Sequence, residues 1–108
     1  MFVHKFEVDS EVCGPGVTRK ILGRGGTMMM VEVTFEKGAI GPNHTHPHEQ
    51  VTYVAQGSFQ FTIEDEQKII KRGDSVYIPS MAEHGCIALE GESILVDIFT
   101  PQREDFLK

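Results

Sequence analysis

The sequence predicts an all-β protein, built as a small barrel or double-sheet sandwich. Two observations carry this. Short runs of β-branched, aromatic and other apolar residues recur along the whole chain. Nearly every run is stopped by a glycine-containing turn, and 11 of the 108 residues are glycine. Many short strands at regular spacing with such turns read as a sandwich or barrel.

The elements follow in order. Residues 17–22 form a short β-like run that ends at Gly23-Arg24-Gly25-Gly26, and residues 27–35, rich in Met, Val and Thr, end at Lys37-Gly38. Residues 50–55 are β-branched and aromatic and stop at Gln56-Gly57. In residues 58–63, Phe59, Phe61 and Ile63 share one face, as strand period demands. Residues 64–67 read as a hairpin loop and 68–71 as the returning strand, closed by Arg72-Gly73-Asp74. Residues 75–78 lead to Pro79, and 86–89 and 93–99 are two further strands around Glu90-Gly91-Glu92. Only residues 101–108 read as a helical turn. The N-terminal residues 2–8 alternate apolar and polar, which suits a strand that pairs with a second copy.

Length and composition bound the function. A chain of 108 residues is one domain by length and buries one modest core. A net charge of −6 with ten Lys and Arg argues against nucleic acid and anionic membranes as partners. It leaves room for an anionic small molecule at a locally positive site. Cys13 and Cys86 are too few for a disulfide framework and read as buried free thiols of a reducing compartment. Residues 1–10 lack an apolar signal core, and no run reaches the roughly 18 apolar residues of a membrane helix. The expected location is the cytoplasm.

The chemistry concentrates in residues 38–50. Taken as one strand, this segment puts His44, His46, His48 and Gln50 on a single face, with Pro47 as a local bend. Two imidazoles on one face take adjacent positions around a divalent ion; Zn, Mn, Fe, Co and Ni all accept such ligands. A distant His84 lies beyond Gly73 and Pro79, where a closed sheet brings it beside the first pair. His48 and Glu49 compete with Gln50 for the fourth position, although Glu49 points to the other face. Near the C-terminus, Asp97 lies between Leu95 and Phe99 on one face of an apolar strand. A carboxylate buried there either pairs with an arginine or holds its proton more tightly, and either outcome is useful to an enzyme. Arg103 suits carboxylate recognition and Phe99 suits an apolar wall against a ligand ring.

These motifs resemble those of single-domain cupins. Gly38, His44, His46, Gln50 and Gly57 follow the first cupin motif, with Gln in place of the usual Glu; Gly73, Pro79, Met81, His84 and Ala88 follow the second, with Met81 in place of Gly and Ala88 in place of Asn. The end of the chain, Asp97-Ile98-Phe99-Thr100-Pro101-Gln102-Arg103-Glu104-Asp105-Phe106, resembles that of the pectin-degradation cupins of the KdgF type. The resemblance implies a cupin barrel with one divalent transition metal near its mouth, held by His44, His46, Gln50 and His84. It implies a homodimer acting on an anionic sugar acid, with Asp97, Phe99 and Arg103 in the active site. The reaction so implied converts 4,5-unsaturated uronates to linear keto forms. A neutral Gln ligand leaves the ion at about +2 with three imidazoles, which favours Lewis-acid over O₂ chemistry. A metal-dependent dioxygenase, a sugar or keto-acid isomerase and a non-catalytic small-anion binder remain alternatives at the level of sequence.

Overall fold

The computed structural model describes all of residues 1–108. Two antiparallel sheets face each other. The first has six strands: β1 (Glu11–Gly14), β2 (Val17–Gly25), β3 (Met28–Phe35), β10 (Ser93–Thr100), β5 (Glu49–Gln56) and β8 (Ser75–Ile78), in that spatial order. The second has four: β4 (Ile40–His44), β9 (His84–Ala88), β6 (Ser58–Ile63) and β7 (Glu66–Lys71). The arrangement is a jelly-roll-like double sheet, as the strand pattern predicts.

Alternation decides which side chains meet between the sheets. On β5, Gln50, Thr52 and Val54 are buried while Glu49, Val51 and Tyr53 are exposed. Register then lines up inward rows across the first sheet. Ile21, Val31, Asp97 and Thr52 form one row; Met29, Phe99, Gln50 and Ile78 form the next. From the second sheet, Phe59, Phe61, Cys86 and Ala88 complete the main core with Val17, Phe35, Val54, Ile78 and Leu95. Phe59 is fully buried and meets Phe35 edge-on at 5.1 Å. Burying each such side chain contributes about 1.5–3 kcal/mol.

Several boundaries depart from expectation. Residues 23–26 do not end the first long strand: β2 runs on to Gly25, with an irregularity between Ile21 and Arg24. The hairpin at 64–67 is tighter than a four-residue loop, because Glu64 takes a left-handed φ of 53° and β7 starts at Glu66. Strand β1 carries no β-like run in the sequence; pairing with β2 makes it. The N-terminal alternation does not give a strand within this chain. Residues Lys5–Glu7 form a 3-10 turn, and Phe2 and Phe6 are exposed. Both cysteines are free, but Cys13 is exposed and only Cys86 is buried.

Met81 has a structural cost. It sits in the turn before β9 with φ of 67°, and its N–H donates to the His46 carbonyl at 2.8 Å. A left-handed residue with a Cβ costs about 1–2 kcal/mol, more than the roughly 0.5–1 kcal/mol entropic penalty of glycine. Met81 is also exposed, so little packing is at stake. Met81→Gly is expected to stabilise by about 0.5–1 kcal/mol, read as a rise of a few degrees in Tm.

Candidate metal centre and cavity

The segment predicted as one histidine-bearing strand is two strands and a bend. β4 ends at His44, residues 45–48 cross from one sheet to the other, and β5 begins at Glu49. Proline at 47 and the change of sheet break the period of two. His44 and His84 instead face each other as register partners on β4 and β9. Gly85 permits this closeness, since a Cβ there would lie 2.1 Å from the Asn43 side-chain oxygen. His46 enters from the crossing segment. The rings of His44 and His84 lie 4.4 Å apart, those of His46 and His84 4.9 Å, and one nitrogen from each of the three lies within 4.8 Å of the others.

Backbone carbonyls set the tautomers. Nδ1 of His44 donates to Pro42 O at 2.9 Å, Nδ1 of His84 to Ala82 O at 2.9 Å, and Nδ1 of His46 to His48 O at 3.1 Å. Each Nε2 then keeps its lone pair for the common centre. Nε2 of His84 is buried without any hydrogen-bond partner. Burial lowers the His84 pKa to about 4 and lowers that of His46 as well. Neutral imidazoles are the ligating form.

A hydrogen-bond relay fixes Gln50. The Thr52 hydroxyl donates to Asp97 Oδ1 at 2.8 Å, and Gln50 Nε2 donates to Thr52 Oγ1 at 2.8 Å. The amide oxygen is therefore turned to the imidazoles, 2.9 Å from His46 Nε2. With His46 Nδ1 donating to a carbonyl, the neutral ring and the amide oxygen are two acceptors face to face. A cation at this point resolves the conflict, as it does for the orphaned nitrogen of His84. The donor set of three imidazoles and one amide oxygen thus fits a divalent ion.

The rival ligands stay apart. His48 is outside the three-imidazole group, with its ring 6.3 Å from that of Phe99. Glu49 is exposed and accepts a hydrogen bond from the Tyr77 hydroxyl on the outer face.

Beside the imidazoles opens a cavity of about 430 Å³, lined among others by His44, Gln50, His84, Asp97, Phe99 and Arg103. Burial is the main cause that raises the Asp97 carboxyl to about 6, against the hydrogen bonds from Thr52 and Gln50 and the Arg103 charge. Asp97 and Arg103 do not bond to each other. Arg103 donates to both carboxylate oxygens of Asp105, at 3.1 and 2.8 Å, and its guanidinium lies over the rings of Phe99 and Phe106. The predicted C-terminal helical turn, Glu104–Leu107, carries Asp105 and Phe106 to this position. Burial pushes the Cys86 thiol up to about 12, so it lines the cavity uncharged.

Thr52, Arg19 and Phe106 escape a reading by sequence. Thr52 looks like an ordinary β-branched strand residue; its signal is its place two residues from Gln50 on an inward row. Thr52→Val removes the hydroxyl that Gln50 and Asp97 share. The expected cost is about 1–3 kcal/mol of stability, with divalent-ion affinity lowered about 10- to 100-fold. Thermal melts and chelator competition read the two effects.

Comparison with known proteins is consistent with this geometry. The Cupin_2 family model, described as a cupin domain, matches residues 31–99. The chain is 46% identical over 102 residues to the pectin degradation protein KdgF of Dickeya dadantii, which spans 94% of this chain and 93% of that protein. Among solved structures, KdgF from Halomonas sp. superposes with a TM-score of 0.95 at 37% identity, over 98% of this chain and 99% of that one. An RmlC-like cupin from Shewanella frigidimarina gives a TM-score of 0.92 at 37% identity, over 97% and 94%. The polyketide cyclase RemF of Streptomyces resistomycificus, at 22% identity, shares the fold with a TM-score of 0.81 over 94% and 80%.

Proposed function

The chain belongs to the cupin family, and from that premise we propose that it converts 4,5-unsaturated uronates, released by cleavage of pectin or alginate, into linear keto acids. The observation that carries this is Asp97. It is a carboxylate with raised proton affinity on the wall of a cavity, hydrogen-bonded through Thr52 to the amide that faces three imidazoles. The similarity to a pectin degradation protein over nearly the whole chain supports the substrate class.

The reaction is an isomerisation and needs no co-reactant. The substrate is a cyclic hemiacetal whose ring oxygen is joined to the C4=C5 double bond, with a carboxylate on C5. The anomeric hydroxyl loses its proton, the bond from C1 to the ring oxygen breaks, and an aldehyde and an enolate result. Protonation at C4 turns the enolate into a ketone. One proton leaves an oxygen and one arrives at carbon. Asp97 is suited to both transfers, because a carboxyl with a pKa of about 6 exchanges protons readily near neutral pH. Arg103 holds the substrate carboxylate: its Nε and Nη2 are committed to Asp105, and Nη1 donates to no protein group. Phe99 packs against the sugar ring beside it. His44, His46, His84 and Gln50 would hold a divalent ion, which would supply Lewis acidity toward the carboxylate or the enolate oxygen.

Loss of the ultraviolet absorbance of the C4=C5 bond, with no uptake of O₂, is the expected result when the monomeric unsaturated uronate meets the metal-loaded protein. Unchanged absorbance would overturn the proposal. We infer a homodimer that pairs through the outer face of the six-stranded sheet, because Val51, Tyr53 and Tyr77 are exposed side by side there; a monomeric mass in solution would count against it. No helix is long and apolar enough to cross a membrane. The reaction belongs in the cytoplasm, where free thiols persist.

A further inference from the structure

Arg19 occupies an unusual place for a charge. It follows Val17 and precedes Ile21 on the inward row of β2, and its register partner is Val33 of β3, beside Leu95 of β10. Its neighbours on that row, Val17 and Leu95, are buried. A guanidinium on a core-facing row costs desolvation unless its head finds partners. Arg19 reaches toward the cavity mouth. Its Nε donates to Glu11 Oε1 at 2.6 Å, and its guanidinium stacks 3.7 Å from the centre of the Phe106 ring. Arg103 lies 4.2 Å from the centre of that same ring. Both guanidiniums therefore lie against one aromatic side chain, one from β2 and one from the C-terminal segment. Nη1 and Nη2 of Arg19 donate to no protein group, although the side chain is only 21% exposed and lines the cavity that Asp97 lines.

We propose that Arg19 is a second anion-binding residue of this cavity, which meets the uronate carboxylate from the β2 wall while Arg103 meets it from the C-terminal segment. The inference deepens the uronate reading and rests on it. Stacking on Phe106 and the bond to Glu11 fix the plane of the fork before a ligand arrives, so little side-chain freedom is lost on binding. Two guanidiniums on a carboxylate select an acid over the neutral sugar, which offers neither of them a charge to pair with.

The test compares Arg19→Met and Arg19→Lys with the unaltered metal-loaded protein, by kinetics on the monomeric unsaturated uronate and by calorimetry with galacturonate. Arg19→Met is expected to raise KM and to weaken galacturonate binding by about 10- to 100-fold, with kcat within about threefold. Arg19→Lys should recover part of both losses. A residue that only supports Phe106 gives another pattern: Tm and kcat fall together, KM and galacturonate affinity hold, and the proposal is overturned. If turnover is absent in the unaltered protein yet galacturonate binds and Arg19→Met weakens it, the uronate conversion fails and anion binding by Arg19 stands. Normal turnover with unchanged KM and affinity in Arg19→Met sinks the Arg19 proposal alone. No turnover and no galacturonate binding sink both.

Discussion

His84→Ala is expected to abolish tight binding of a divalent ion and to lower turnover of the unsaturated uronate by about a hundredfold or more. Nε2 of His84 is buried and unpartnered, aimed at the nitrogens of His44 and His46. Removing this imidazole takes away one of the three nitrogens that converge on the proposed ion site, and His48 is outside that group. Lewis-acid stabilisation of a developing oxyanion is worth several kcal/mol, and each 1.36 kcal/mol is tenfold in rate. Metal content after dialysis and kcat on the same sample read the two effects together. Full activity in unaltered protein stripped of metal would refute the Lewis-acid role. Gln50→Glu gives the complementary result. A carboxylate ligand lowers the net charge of the centre by one, which should tighten the ion but weaken its pull on an anionic substrate.

Asp97→Asn is expected to lower kcat about 100- to 10,000-fold while leaving metal content unchanged. An asparagine oxygen still accepts the Thr52 hydrogen bond, so Gln50 keeps its orientation. What disappears is the proton exchange, and positioned general acid–base groups contribute about 10²–10⁴ in rate. KM should move little, because Arg103 and Phe99 are untouched. A variant with kcat within threefold of the unaltered protein would assign the proton transfers elsewhere.

Much of the fold is legible in the sequence because strand alternation is a local signal. Phe59, Phe61 and Ile63, or Leu95 and Phe99, declare an inward face without any knowledge of their partners. The same rule placed Asp97 inward on what proves to be a central strand, between β3 and β5. Alternation fails where the chain changes sheets. Across the bend at 45–48 it put four side chains on one face, whereas His44 belongs to one sheet, Gln50 to the other, and His48 to neither group. It also fails at residues 2–8, where apolar and polar residues alternate but this chain offers no strand to pair with. Polar positions on inward rows are harder still. Thr52 has the β-propensity of any strand residue, and Arg19 lies in the β-like run of residues 17–22, where nothing local shows what its charge meets. Register shows which groups each of them meets across the sheet, and register is a property of the assembled sheet.

The crossing at residues 45–48 also divides the cavity into two walls of separate origin. His44 and His84 come from the four-stranded sheet, while Gln50, Thr52, Asp97 and Arg19 come from the six-stranded one. No ladder of strand pairing joins the sheets, so the walls are coupled through side chains and through the segments by which the chain passes from one sheet to the other, that at 45–48 among them. Substitutions along the Arg19–Asp97 wall can therefore exchange the groups that meet a ligand while the imidazole pair on the opposite wall keeps its register. The barrel is in that sense a holder with an interchangeable lining, and a library confined to the inward positions of β2 and to Phe99 of β10, with Gln50, Thr52 and Asp97 kept, would sample new substrates without dismantling the cradle for the ion.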